Sequence, residues 1–514
     1  MSRSRLILLF VATAVALFAP PAGADVRLPQ LFRDGLVLQR GHPIRLWGTA
    51  AGGESVAVEL AGARAETVAD ADGRWRIELP AQPAGGPHEL VVTGRNRIVC
   101  ADVLIGELWI ASGQSNMEWP LEKTDGAAGE IALPANPRMR VFKVKRAQAG
   151  KPQTDVEGQW RAAEPATRGS FTAVGYHFAK HLSAALDVPV GIVDSTWGGT
   201  SAAAWTPLPD LQRDARLAGY LTRYVQAATD FPRLQPVYEK KLAEWEAAAG
   251  PAPTREQWRS RPPQPLGPGH PSTPGALFHG MIAPLTSLPV RGIIWYQGET
   301  DATRAATYRT LFPTLINVWR REWAEPSLPF LFVQLAGYDS QRDTAQGSPW
   351  AELREAQAET LRLPHTGMAV ALDLGERDDI HPRNKSEVGR RLALQALAKV
   401  YGQPVVAGGP VCSGHEISGS TVRVKFDPTP GRLVVRGGGE LQGFTIAGED
   451  RLFHAAQARI EEDAVILSAP AVTRPVAVRY GWADYTAANL ANDAGLPAGP
   501  FRTDPWPAIT EATP

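Results

Sequence analysis

Three kinds of hydrophobic patterning follow one another along the chain. Over residues 26–98 short segments alternate apolar and polar positions. Ile44-Arg45-Leu46-Trp47, Ser55-Val56-Ala57-Val58-Glu59-Leu60 and Trp75-Arg76-Ile77-Glu78-Leu79 read as half-buried strands, with Asp72-Gly73 placed as a hairpin turn before the last. This predicts a small β-sandwich. After Cys100 the period changes: residues 103–111, 188–193, 292–296, 330–335 and 368–372 are continuous apolar runs of strand length. Between them Phe171, Val174, Phe178, Leu182 and Leu186 recur at helical spacing. Such alternation predicts a parallel sheet covered by helices on both faces. Ser348-Pro349 has the chemistry of a helix start, and Asn384 with Glu387 approximates a capping box for a helix over residues 385–401 that Gly402 ends. Beyond Gln403 the text is strand-like again at residues 420–424, 432–435, 464–467 and 476–480.

The pattern divides the chain into residues 1–24, an N-terminal β domain over 25–100, a central α/β domain over 101–405 and a C-terminal β domain over 406–514. An insertion interrupts the central rhythm at about 205–275. Residues 234–249 read as a charged surface helix, and residues 251–274 are too dense in proline and glycine for regular structure, so the insertion is either a partial wall over a site or a disordered excursion.

Composition narrows the setting. Met1-Ser2-Arg3-Ser4-Arg5, the apolar run 6–19 and Ala22-Gly23-Ala24 have the plan of a secretory signal peptide, which predicts an exported, periplasmic or extracellular protein beginning at Asp25. The run is shorter than the roughly 20 residues that span a bilayer, so no membrane anchor is expected. Loss of Arg3 and Arg5 leaves 51 basic against 53 acidic residues, a balance that points to neither nucleic acid nor an anionic membrane as partner. Cys100 and Cys412 are the only cysteines, which excludes a disulfide framework or a cysteine metal cluster; one bridge and two free thiols both remain compatible with export.

Candidate chemistry gathers where predicted strands end. The 103–111 run empties into Ser112-Gly113-Gln114-Ser115-Asn116-Met117, placing Ser115 at the carboxyl edge of the sheet, where open α/β folds bind and react. A serine there is a candidate nucleophile, and small polar residues after strands also serve as loop or cap residues. Among ten histidines, His381 stands out in Asp378-Asp379-Ile380-His381-Pro382: Pro382 keeps it extended on a loop, and Asp378 or Asp379 is near enough to orient the imidazole. The backbone amides of Ser115 and of the Gly198-Gly199 pair, with the side-chain amide of Gln297, are candidate donors to an oxyanion. The α/β-hydrolase elbow carries glycine two residues after the nucleophile, where this chain has Met117, so that fold is disfavoured.

These motifs in this order resemble the sialate O-acetylesterases, within the wider SGNH-hydrolase group. The likeness is carried by Gly113-Gln114-Ser115-Asn116-Met117, Ser195-Thr196-Trp197-Gly198-Gly199-Thr200, His279-Gly280-Met281-Ile282-Ala283-Pro284-Leu285, Trp295-Tyr296-Gln297-Gly298-Glu299, Leu353-Arg354-Glu355-Ala356-Gln357 and Ile380-His381-Pro382-Arg383-Asn384-Lys385. Trp482-Ala483-Asp484 and Pro500-Phe501-Arg502-Thr503-Asp504 extend it to the C-terminal region. The resemblance implies a three-layer α/β/α fold flanked by β regions, and hydrolysis of sugar acetyl esters, typically 9-O-acetyl sialic acid, without a cofactor or metal. It implies Ser115 as nucleophile, His381 as base, and Ser115, Gly199 and Gln297 as oxyanion donors. Asp378 fits the SGNH spacing and Asp379 that of the family's nearer members, so the orienting acid is either.

Gln114, Glu299, Arg354 and Arg383 are the side chains expected to meet the sugar, and Arg354, Arg377 and Arg383 are the candidate cations that an acidic sugar needs, although arginines also pair with structural carboxylates. Acetylxylan or another acetylated polysaccharide is the alternative substrate. A noncatalytic carbohydrate-binding protein is the alternative class.

Overall fold

A computed structural model describes residues 25–251, 253–254, 257–258, 260–338, 347–427 and 431–512; the leader expected over 1–24 lies outside them. The central feature is the seventeen-residue strand Arg97–Gly113, which serves two sheets. Its first half pairs antiparallel with Gly85–Thr93 and parallel with Val37–Gln39, and its second half lies at the middle of the α/β sheet. The boundary drawn at 100/101 therefore falls inside a strand. One continuous hydrophobic core runs from Val26 to Leu397 through both regions.

The α/β sheet has the order Thr366–Val370, Phe330–Gln334, Gly292–Tyr296, Arg97–Gly113, Val190–Thr196, Asn136–Val144, Gly158–Ala163. All neighbours are parallel except the last pair. Central strands are buried on both faces, which is why they read as unbroken apolar runs rather than alternations. Helices cover both faces. Trp295 meets Phe312 and Trp319 of the Ala305–Glu322 helix, while its neighbour Tyr296 points the other way, under the Lys385–Lys399 helix. The three-layer α/β/α sandwich is the fold of this domain.

Local expectations hold with instructive differences. Ser348 caps the Pro349–Glu359 helix by accepting the Ala351 amide at 2.9 Å, and Asn384 accepts the Glu387 amide at 3.2 Å. Gly73 does turn the chain, with φ of +76°, but Asp72-Gly73 makes no hairpin. Ala63–Val68 pairs with Ser55–Leu60, and Arg74–Leu79 pairs with Ile44–Thr49, so the turn passes between the two sheets of the N-terminal sandwich. In the insertion the charged helix spans Ala218–Ala249, sixteen residues earlier than its expected start, and carries Pro232 and Pro236 within it.

The C-terminal strands form their own core around Val422, Val424, Phe444, Ile446, Tyr480 and Leu490. Cys100 and Cys412 are both free. Among the described residues no helix is long and apolar enough to cross a membrane.

Candidate active site

Three strands end in register: Gly113 is paired with Thr196 on one side and with Tyr296 on the other. Gly113 has φ of +130°, and a Cβ there would stand 2.2 Å from the Tyr296 carbonyl oxygen, so only glycine can leave the sheet this way. The Gln114 amide donates to that same carbonyl at 3.0 Å, and Ser115 begins the one-turn helix Ser115–Glu118. Its hydroxyl thus sits at the carboxyl edge, and its amide is among those a helix start leaves unpaired.

His381 arrives from the other end of the domain. Its Nε2 lies 2.9 Å from the Ser115 Oγ. Asp379 shapes the loop that presents it: Oδ1 accepts the His381 backbone amide at 2.9 Å and stands 3.7 Å from Nδ1, an ion-pair distance rather than a direct hydrogen bond. A carboxylate on the Nδ1 side favours the tautomer with its proton there, leaving Nε2 free to accept from serine. Asp378, one residue earlier, is exposed. The Trp119 indole stacks on the imidazole with centroids 4.4 Å apart and planes 14° from parallel.

The Gly198-Gly199 loop lies against the nucleophile. A Cβ on Gly198 would stand 3.2 Å from the Ser115 Cβ, so this glycine is needed for close approach. Its amide, however, donates to Glu118 Oε2 at 2.9 Å, which withdraws Gly198 as an oxyanion donor. Glu118 is held in turn by Arg146, whose Nε donates to Oε1 at 2.9 Å and whose guanidinium lies 5.5 Å from the Trp197 ring centroid. Gly199 is exposed with φ of +73°.

Gln297 corrects the sequence reading. The side chain is fully buried, and Nε2 donates to the Thr200 carbonyl at 3.1 Å and to Asp301 Oδ2 at 2.7 Å. Both amide protons are used, so Gln297 braces the loop after Gly199 from below instead of facing the serine. Asp301 also accepts from Ser201 Oγ, the Ala202 amide and Tyr220, and burial pushes its carboxyl upward.

Of the expected sugar contacts, Arg354 and Gln114 are corrected as well. Arg354 is wholly buried and donates to the carbonyls of Leu335, Ala336, Ala483 and Asp484 at 2.7–3.0 Å. It anchors the C-terminal region to the α/β domain, aided by Arg502, whose Nε donates to Glu355 at 2.8 Å. Gln114 is 2% exposed, and its Oε1 faces the Thr300 amide at 3.4 Å. Glu299 lies behind the serine as acceptor from Asn116. Arg383 alone of the four is exposed, two residues from His381.

Sequence reasoning passed over Trp119, Glu118 and Arg146, for which no local signal exists, and over Asn116 and Lys385, which lay inside the quoted motifs without a role. Among the described residues no three His, Cys, Asp or Glu side chains are grouped to hold a metal ion.

A parallel sheet between two helical layers, with a serine at its carboxyl edge touching an imidazole, defines the class: an SGNH-like serine ester hydrolase. Comparison with known proteins specifies it. Residues 255–398 match the family model for carbohydrate esterase, sialic acid-specific acetylesterase. Sialate O-acetylesterase of Rattus norvegicus is 30% identical over 432 residues, 77% of each chain, and that of Mus musculus is 29% identical over 430 residues, 76% of this chain and 77% of that one. The crystal structure of a carbohydrate acetylesterase from Xanthomonas citri is 42% identical, with TM-score 0.81 over 94% of this chain and 100% of its own. The chain belongs to the sialate O-acetylesterase family.

Proposed function

We propose that the protein removes O-acetyl groups from carbohydrates by a serine mechanism in which Ser115 is the nucleophile and His381 the general base. The observation that carries this is the 2.9 Å approach of His381 Nε2 to Ser115 Oγ, made by residues 266 positions apart. Ser115 Oγ attacks the acetyl carbonyl carbon as its proton passes to Nε2, and the Asp379 carboxylate stabilises the imidazolium that results. The oxyanion is received by the amides of Ser115 and Gly199. His381 then protonates the departing sugar oxygen, leaving an acetyl-serine that water, activated by the same imidazole, hydrolyses to acetate.

The substrate we propose is 9-O-acetylated sialic acid, supported by the rat and mouse relatives and by exposed Arg377 and Arg383 flanking His381 as cations for a sugar carboxylate. A neutral acetylated polysaccharide is the second reading. It is favoured by the burial of Arg354 and by the pairing of Arg146 with Glu118, which leave fewer cations for a sugar carboxylate. Action outside the cytoplasm is part of the proposal, on the strength of the leader-like first 24 residues.

Acetate release from p-nitrophenyl acetate by wild type and S115A tests the chemistry. Wild-type turnover with loss of three orders of magnitude or more in S115A is expected, and near-normal hydrolysis by S115A overturns it. Parallel assays on 9-O-acetylated sialic acid and on acetylated xylan decide the sugar.

A further inference from the structure

Lys385 is the first residue of the Lys385–Lys399 helix, and its side chain is completely buried. Nζ donates to Oδ1 of Asn116, the residue after the nucleophile, and lies 5.4 Å from the centroid of the Tyr296 ring. The amide nitrogen of Asn116 donates in two further directions, to Glu299 Oε1 and to the Ile380 carbonyl at 2.8 Å. One side chain therefore joins the serine turn, the residue preceding His381, the turn after the Gly292–Tyr296 strand and the start of the last helix.

Stability does not explain this lysine. Removing an ammonium from water is costly, and replacing a whole buried ion pair by apolar side chains of similar volume is commonly neutral or stabilising. Glu299 is the nearby carboxylate that compensates it, but it reaches Lys385 only through Asn116, and its Oε2 is buried without a hydrogen-bond partner among the described residues. What a protonated Lys385 supplies is direction: its ammonium has three protons and no acceptor, so in that state the Asn116 amide turns its oxygen toward Nζ, the arrangement the structure shows. The nitrogen is then compelled to face Glu299 and the Ile380 carbonyl. With the amide reversed, its oxygen would confront two acceptors and the His381 loop would lose its tie to the serine turn.

We propose that Lys385 is a positioning residue for acyl transfer, fixing the orientation of Asn116 and through it the separation of the Ser115 hydroxyl from the His381 imidazole. This rests on Ser115 and His381 being the reacting pair. Displacement of such a pair by about 1 Å lowers turnover on the order of 100-fold while leaving substrate binding largely intact.

The test is a double-mutant cycle on the full chain with K385M, N116A and both together, using p-nitrophenyl acetate, with S115A as control and thermal midpoints recorded throughout. K385M is expected to lower kcat about 10- to 100-fold with KM within about twofold when assayed well below its midpoint, which should fall below wild type because Asn116 Oδ1 and Glu299 lose their partner. On the N116A background K385M is expected to add no further loss, because its effect passes through Asn116. K385R, which keeps a group that only donates, should remain nearer to wild type than K385M. Wild-type kcat in K385M, multiplying losses in the double variant, or failure of K385M to fold would each overturn the proposal. Activity retained by S115A would instead show that the Ser115 reading is wrong.

Discussion

Glu118, the last residue of the turn that Ser115 opens, accepts the amide proton of Gly198 at 2.9 Å. The contact presses the glycine loop against the nucleophile while taking one of its two amides out of use. In the proposed mechanism this leaves the Ser115 and Gly199 amides to receive the oxyanion. E118Q keeps an oxygen for Gly198 and should retain activity within about threefold, whereas E118A should lose about 10- to 100-fold in kcat. Equal losses in the two variants would show that Arg146 pairing, and not the Gly198 contact, is what matters.

Asp379 holds both the backbone and the ring of His381. D379N should lower kcat by about 100-fold or more with little change in KM, because the carboxylate stabilises an imidazolium that exists only during reaction. Steady-state kinetics of D379N beside D378N check this, and a loss confined to D378N would move the orienting role one residue earlier.

Arg354 separates a structural from a binding role. Its guanidinium satisfies four carbonyls, two of them from the C-terminal region, so R354M strands buried acceptors and should cost at least ~3 kcal/mol of unfolding free energy. KM for any acetylated sugar should be unchanged in the folded protein. Denaturant titration with parallel kinetics distinguishes this from loss of substrate affinity.

Burial pulls the Lys385 ammonium down to about 7 from an ordinary 10.5, against the attraction of Glu299, Asp379 and Glu376. Between those values the unfolded chain holds a proton that the folded protein has released, so this group makes stability rise with pH from about 7 toward 10.5. K385M lacks the titration. The stability of K385M relative to wild type should be highest below about pH 7 and fall as pH rises. Chemical denaturation of both proteins across that range checks it, and a relative stability that rises with pH would contradict it.

The layered fold was legible because a strand buried on both faces and a one-sided helix leave different periods in the text. Partner choice was not: Asp72-Gly73 encodes a reversal, but whether the strands it joins pair with each other depends on the sheet each can complete. The helix expected over residues 234–249 begins after Pro232, yet the exposed Ala218–Ala249 helix runs through both Pro232 and Pro236. At the site, Ser115, His381 and the glycine pair were visible because strand ends are local features. Gln297 and Arg354 misled because their use is decided by Asp301 and by Ala483 and Asp484, buried neighbours that spacing does not reveal. Lys385 was hidden for the same reason, since nothing in a helix start announces that its lysine turns inward.

Covalent trapping tests the central claim most directly. Incubated with a fluorophosphonate and digested for mass spectrometry, the wild-type protein should carry one adduct, on Ser115, formed far more slowly in H381A and absent in S115A. An adduct on another residue, or none in a preparation that releases acetate, would contradict the assignment.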